Sequence, residues 1–173
     1  MSSYRRERIQ ATADDLVAKY DSRDPFVIAK AEGIEVVYRT FDRLKGFYTR
    51  FDDQSFIVLN QELSPVEMKL TCAHELGHDQ LHQELAEDRI LQEFMFYDLT
   101  RQPEYEANLF AAGLLLDEAD VREGLEARED FFVLAAKLEV DPMLLHLKLR
   151  LMDFPAENLP DYDDRFLQRV SSS

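Results

Sequence analysis

Apolar residues recur at helical spacing from the start of the chain. Ile9, Thr12 or Ala13, Leu16 and Val17 share one face and Tyr20 closes it, which predicts a helix from Arg5 to Tyr20. Asp24-Pro25 then supplies an N-cap and a proline at the first helical position, opening a short helix to about Glu32 that Gly33 ends. The pattern next turns β-branched and aromatic. Ile34–Thr40, Lys45–Phe51 and Ser55–Asn60 read as strands, with Asp52-Asp53-Gln54 as a hairpin connection, so a small three-stranded antiparallel sheet is expected. Ser64-Pro65-Val66-Glu67 is a complete helix-start signal: a capping serine, proline at the first position and glutamate at the third. That helix is predicted to run to about Leu81. Another is expected from Pro103 to Leu116, with Leu109, Phe110 and Leu114 apolar, and a helix pair over Asp130–Glu139 and Pro142–Met152, joined by Val140-Asp141. Beyond Asp153 the composition favours an extended arm. The fold class is therefore α+β, mostly helical, with one domain over 1–152 and a C-terminal tail over 153–173.

Composition adjusts this picture in three ways. Twelve Phe and seven Tyr without a Trp suggest a core with a strong aromatic component. The single cysteine, Cys72, allows no internal disulfide and fits a reducing compartment. The charged N-terminus leads into no apolar stretch, and the longest apolar run, Leu109–Leu116, is too short to span a bilayer, so a cytoplasmic protein is expected. Charge is the most selective property. The chain carries a formal −15, and between Asp98 and Asp130 ten acidic residues face three basic ones. Such a surface repels a phosphate backbone and attracts a basic protein or peptide, so direct nucleic-acid binding is not expected.

The chemistry concentrates in His74-Glu75-Leu76-Gly77-His78. On a helix, imidazoles four residues apart project from one face and can converge on one zinc ion. Glu75 lies beside the first of them, where a carboxylate can take a proton from water activated at the metal. Gly77 leaves a position without a side chain, at which a neighbouring backbone could approach closely. A catalytic zinc ordinarily takes three protein ligands. His82 continues the i, i+4 series, yet it would lie roughly 12 Å along the axis from His74, too far to share one ion; a second-shell or substrate-side place suits it better. Cys72, about 200° around the helix from His74, points away. The third ligand must then come from another element. Glu106, flanked by the small residues Ala107 and Ala111, is the best candidate, and Glu104 competes, although its place at the helix start suits a dipole partner. Spacing alone does not decide between a ligand and a solvated acid.

Taken together the segments resemble a known family. Cys72-Ala73-His74-Glu75-Leu76-Gly77-His78 follows a small sheet containing Gly46-Phe47-Tyr48 and Ile57-Val58-Leu59-Asn60, and Glu106-Ala107-Asn108-x-Phe110-Ala111 comes twenty-eight residues after His78. This is similar to the ImmA/IrrE metallopeptidases over roughly Asp24 to Met152. The resemblance implies a zincin-like fold, His74, His78 and Glu106 as metal ligands, and Glu75 as general base. Zinc is the expected metal, and two His with one carboxylate can also hold manganese. The resemblance further implies a substrate: members on phages and mobile elements cleave a helix-turn-helix repressor and so release the genes it silences. In place of the Leu-Leu-x-Pro ending typical of the family, this chain has Leu115-Leu116-Asp117-Glu118, so the exit from that helix is expected to differ. Tyr105 and Tyr97 are the tyrosines near enough in sequence to be considered for the oxyanion, Tyr105 as a second-shell or substrate-side group. The leading expectation is an endopeptidase acting on a repressor; the rival is a metal-binding anti-repressor that sequesters its partner without cutting it. A third reading, a housekeeping peptidase of broad specificity, ranks last.

Overall fold

The computed structural model describes residues 2–83 and 102–155. In chain order its elements are α1 (Ser3–Tyr20), α2 (Pro25–Ala31), β1 (Glu35–Arg39), β2 (Gly46–Phe51), β3 (Gln54–Asn60), α3 (Pro65–Leu81), α4 (Gln102–Leu115), α5 (Glu118–Glu126), α6 (Phe131–Lys137) and α7 (Pro142–Leu151). The α+β architecture expected from the pattern is present, with helices outnumbering a small sheet.

The local signals explain most of the boundaries. Asp24 Oδ1 accepts from the Phe26 amide at the start of α2, and Gly33, at φ +77°, takes the left-handed turn that follows the helix. Asp52 and Asp53 both have positive φ, 46° and 62°, the conformation of a two-residue hairpin loop of the mirror-image type, and short polar side chains tolerate it. Ser64 Oγ accepts from the Glu67 amide at 3.3 Å while Glu67 Oε2 accepts from the Ser64 amide at 3.2 Å, closing the capping box that begins α3.

The sheet departs from expectation. Its order is β1-β3-β2: β2 pairs antiparallel with β3 across the hairpin, but β1 runs parallel to β3, with Val37 opposite Val58. The sheet is mixed rather than purely antiparallel. The physical reason is the path of the chain. After β1 the segment of residues 40–45 crosses to the far side of the position β3 will fill, so the third strand inserts between the first two. A second difference is α5, which the sequence reading passed over. Asp117 accepts from the Ala119 amide and starts a new helix where the preceding one was expected simply to exit.

Among the described residues, the largest fully buried side chains are mostly aliphatic, including Ile28, Ile57, Leu59, Leu76, Leu109, Leu114 and Leu145, with Tyr48 and Phe110 as the rings; Tyr20, Phe26, Tyr105, Phe131 and Phe154 pack against this core half-buried. Phe51 and Phe132 are exposed. Helix α4 is the centre of the molecule: α3 packs along one side of it, and α1 and α7 along the others. Of the expected tail, Asp153 accepts from Arg6 Nη2 at 2.8 Å and Phe154 packs against the core; residues 156–173 lie outside the described part.

Candidate metal centre

The α3–α4 contact is unusually close at one point. A Cβ on Gly77 would stand 3.1 Å from Ala107 Cα and 3.0 Å from Phe110 Cδ1. The missing side chain lets the two backbones meet, as the glycine beside the histidines led us to expect. Once Ala107 is seated there, helix geometry decides what else α4 presents. Glu104, Asn108 and Ala111 fall within about 60° of Ala107 or about 100° of it on the same side, whereas Glu106 lies about 200° from Glu104. The small residues therefore select the correct helix, and the phase of that helix selects Glu104.

The consequence is a compact cluster. His74 Nε2 and His78 Nε2 stand 3.2 Å apart, and Glu104 Oε2 lies 3.3 Å from the first and 3.4 Å from the second. These three donors form the cluster able to hold a metal ion among the described residues. Both imidazoles are buried and Glu104 nearly so. At metal–nitrogen and metal–oxygen distances of about 2.0–2.1 Å, the edges of a tetrahedron are about 3.3–3.4 Å, so the spacing fits a tetrahedral ion with one position left open. The donor set fits as well: three lone pairs turned toward one point repel one another unless a cation or protons lie between them. Protons fill that need in the electrostatics of the bare chain. Burial disfavours the His74 imidazolium, but the Glu104 carboxylate outweighs it, with help from Glu75, and its proton affinity is raised. Burial likewise opposes ionisation of Glu104, yet the two imidazoles hold its carboxyl far below the usual range.

Asn108 orients the first imidazole. Its Nδ2 donates to the Glu104 backbone carbonyl at 2.9 Å, which leaves Oδ1 to face His74 Nδ1 at 3.0 Å. An amide oxygen there requires the proton on Nδ1, so the Nε2 lone pair is the one directed into the cluster.

Glu106, expected as the third ligand, is engaged elsewhere. Oε1 lies 2.6 Å from Arg5 Nε and accepts from Gln102 at 3.0 Å, while Oε2 accepts from Arg5 Nη2 and from His82 Nε2, both at 3.0 Å. Burial would raise its pKa, but these donors lower it on balance. A carboxylate so occupied is not facing His74 and His78. His82, at the C-cap of α3, is buried beside His78 with ring centroids 5.5 Å apart, and belongs to this Glu106 group rather than to the cluster. Glu75 is buried on α3 next to His74. Tyr105 is half-buried and its hydroxyl accepts from Arg150 Nη1 of α7 at 3.4 Å; Tyr97 lies outside the described residues. Cys72 is wholly buried in the core, and burial pushes its thiol up, out of reach of easy ionisation. The sequence reading weighed Glu104 but ranked it behind Glu106, and it gave Asn108 no role. Their i, i+4 spacing around Ala107 was the available signal.

Two imidazoles and a carboxylate converge from a pair of packed helices, with a second carboxylate one residue after the first histidine, and the three converging groups could hold a metal ion. Comparison with known proteins agrees: the chain belongs to the peptidase M78 family, matching its IrrE N-terminal-like domain over residues 29–150. It is also 31% identical over 141 residues to the "uncharacterized immunity region protein 2" of Bacillus phage phi105, covering 81% of this chain and 88% of that protein. No helix among the described residues is long and apolar enough to cross a membrane.

Proposed function

We propose that this protein is a zinc-dependent endopeptidase whose substrate is a helix-turn-helix transcriptional repressor, with His74, His78 and Glu104 as the metal ligands. The observation that carries the metal reading is the triangle of donor atoms, with edges of 3.2, 3.3 and 3.4 Å. A zinc ion held there would polarise a peptide carbonyl and acidify a water molecule. Glu75 is then the general base: its carboxylate takes a proton from the attacking water and passes it to the departing amine nitrogen as the C–N bond breaks. Asn108 keeps His74 in the tautomer that serves a ligand. Manganese suits the same ligands, and the short edges favour zinc, the smaller-shelled tetrahedral ion.

The substrate reading rests on the family and on the relative named for a phage immunity region. The acid excess of the chain supports it too, since a DNA-binding repressor presents a basic face. The cytoplasm, where such repressors act, is the corresponding place of action. The test is co-expression with a helix-turn-helix repressor encoded beside the gene, with Glu75→Gln as control. A discrete repressor fragment with the wild type, reduced at least about 1000-fold by Glu75→Gln while metal content is retained, is the expected outcome. Equal cleavage by Glu75→Gln would remove Glu75 from the mechanism. Stable binding by both proteins without a fragment would favour sequestration over proteolysis.

A further inference from the structure

We propose that the N-terminal helix is a working part of the metal centre, through a clasp in which Arg5 holds Glu106 and Glu106 in turn positions the elements that carry the ligands. The inference rests on the metal reading above and goes beyond it, because Arg5 lies outside the residues 29–150 that match the family.

The geometry of Glu106 is the starting point. Its carboxylate is buried and draws contacts from three elements: an ion pair and a hydrogen bond from Arg5 on α1, a hydrogen bond from His82 at the C-cap of α3, and one from Gln102 at the first position of α4. The Arg5 contact is a fork, Nε at 2.6 Å from one oxygen and Nη2 at 3.0 Å from the other, the arrangement in which guanidinium and carboxylate are most specific. Each donor reports on a different part of the centre. His82 is one turn beyond His78, so its bond fixes the end of the helix that carries both imidazoles. Gln102 and Glu106 bracket Glu104, so their bond fixes the turn from which Glu104 reaches the imidazoles. Among the described residues, the permanent cation that faces Glu106 is Arg5, and it comes from α1.

The energetics point the same way. A buried carboxylate stripped of its counter-charge is costly, and moving it toward water relieves that cost. Such a move disturbs the first turn of α4. Because α1 otherwise packs on α4 through apolar residues such as Ile9 and Ala13, the loss of Arg5 alone leaves the helix docked. Arg5 itself, about half exposed, is no part of the core. The clasp thus acts on ligand placement rather than on folding, and Arg5 and Glu106 are positioning residues.

The test compares zinc affinity, measured by competition with a chromophoric chelator, in purified Arg5→Ala, Arg5→Lys, Glu106→Gln and Glu104→Gln, together with the urea midpoint of each metal-free protein. Loss of an orienting partner of a ligand ordinarily weakens metal binding about 10- to 100-fold. Arg5→Ala and Glu106→Gln are expected in that range with full stoichiometry at saturating zinc. Arg5→Lys should recover part of the loss, because the charge returns without the fork. Glu104→Gln is expected to hold no zinc at any concentration used. Unchanged affinity in both Arg5→Ala and Glu106→Gln, beside a Glu104→Gln protein without zinc, overturns the clasp and leaves the metal reading standing. Full zinc in Glu104→Gln overturns the metal reading itself. A fall in affinity that tracks an equal fall in the metal-free urea midpoint, with no recovery in Arg5→Lys, assigns Arg5 to general stability and overturns the positioning role.

Discussion

Two faces of α4 bury polar groups in opposite ways. Toward α1 and α7, the polar groups are complementary: Lys148 Nζ donates to Gln10 Oε1 at 3.2 Å, and Arg23 donates to the Gly113 and Leu114 carbonyls and to Asp117. Arg23 there also meets the negative end of the helix dipole, where a cation is favoured. Toward α3, groups of metal-ligand type converge on one point. Two imidazole nitrogens and a carboxylate oxygen stand 3.2–3.4 Å from one another. The first face joins cations to acceptors, and the second gathers three donor atoms that one ion could share. Polar burial of the first kind holds a fold together, and polar burial of the second kind makes a binding site.

The comparison is broken most sharply at Glu104. Zinc added to the metal-free wild type should raise its melting temperature, since a ligand bound only by the folded state stabilises it by mass action. Glu104→Ala should abolish that rise and weaken zinc binding by at least about 1000-fold, or about 4 kcal/mol. Calorimetric titration and thermal melts with and without zinc read both quantities. A variant that still gains stability from zinc as the wild type does would show that the α3 face is satisfied without this carboxylate.

Next in size is Gly77→Val. The Cβ alone would touch Ala107 backbone and Phe110 at 3.0–3.2 Å, and two further carbons have no space to enter. We expect a loss of about 3 kcal/mol in urea unfolding, accompanied by weaker zinc binding as α4 and Glu104 are pushed outward. Weaker zinc binding without a stability loss would mean that the helices separate freely, contrary to the close seat described above.

How much of this could be read from residues follows from what each signal encodes. The capping box at Ser64, the aspartate caps at Asp24 and Asp141 and the paired aspartates of the hairpin are local, and local signals fix element starts. The two histidines share a face through one helix's own period, so their meeting was legible as well. Glu104 required knowing which side of α4 faces α3. Ala107 and Ala111 were recognised as the packing residues but were assigned to Glu106 as neighbours in sequence; on a helix they are neighbours of Glu104 and Asn108 instead. The parallel pairing of β1 with β3 is a property of strand order, which alternation along each strand does not carry. Helix α5 escaped notice because its nine residues are dominated by charge and bury only Val121 and Gly124.

The smallest expected effect lies on the complementary face and appears as a slope. Lys148 is 1% exposed, and burial lowers its pKa below 10.5, although Asp14, Glu118 and Asp117 oppose that shift and Arg23 adds to it. The folded protein therefore disfavours the ammonium that the unfolded chain accepts readily. Between the folded pKa and about 10.5 the unfolded state binds more protons, so this group makes stability rise with pH through that window. The destabilising contribution is complete below the folded value and gone above the unfolded one. Lys148→Met removes the titration, and the difference in stability between wild type and variant should move in the wild type's favour as pH climbs from neutrality toward 10.5. Chemical unfolding of both proteins over that range measures it. A difference that stays constant, or shifts toward the variant, would mean that Gln10 and the nearby carboxylates compensate the buried charge fully. The α1–α7 face would then be even more self-sufficient than its hydrogen bonds imply, and the contrast with the α3 face correspondingly wider.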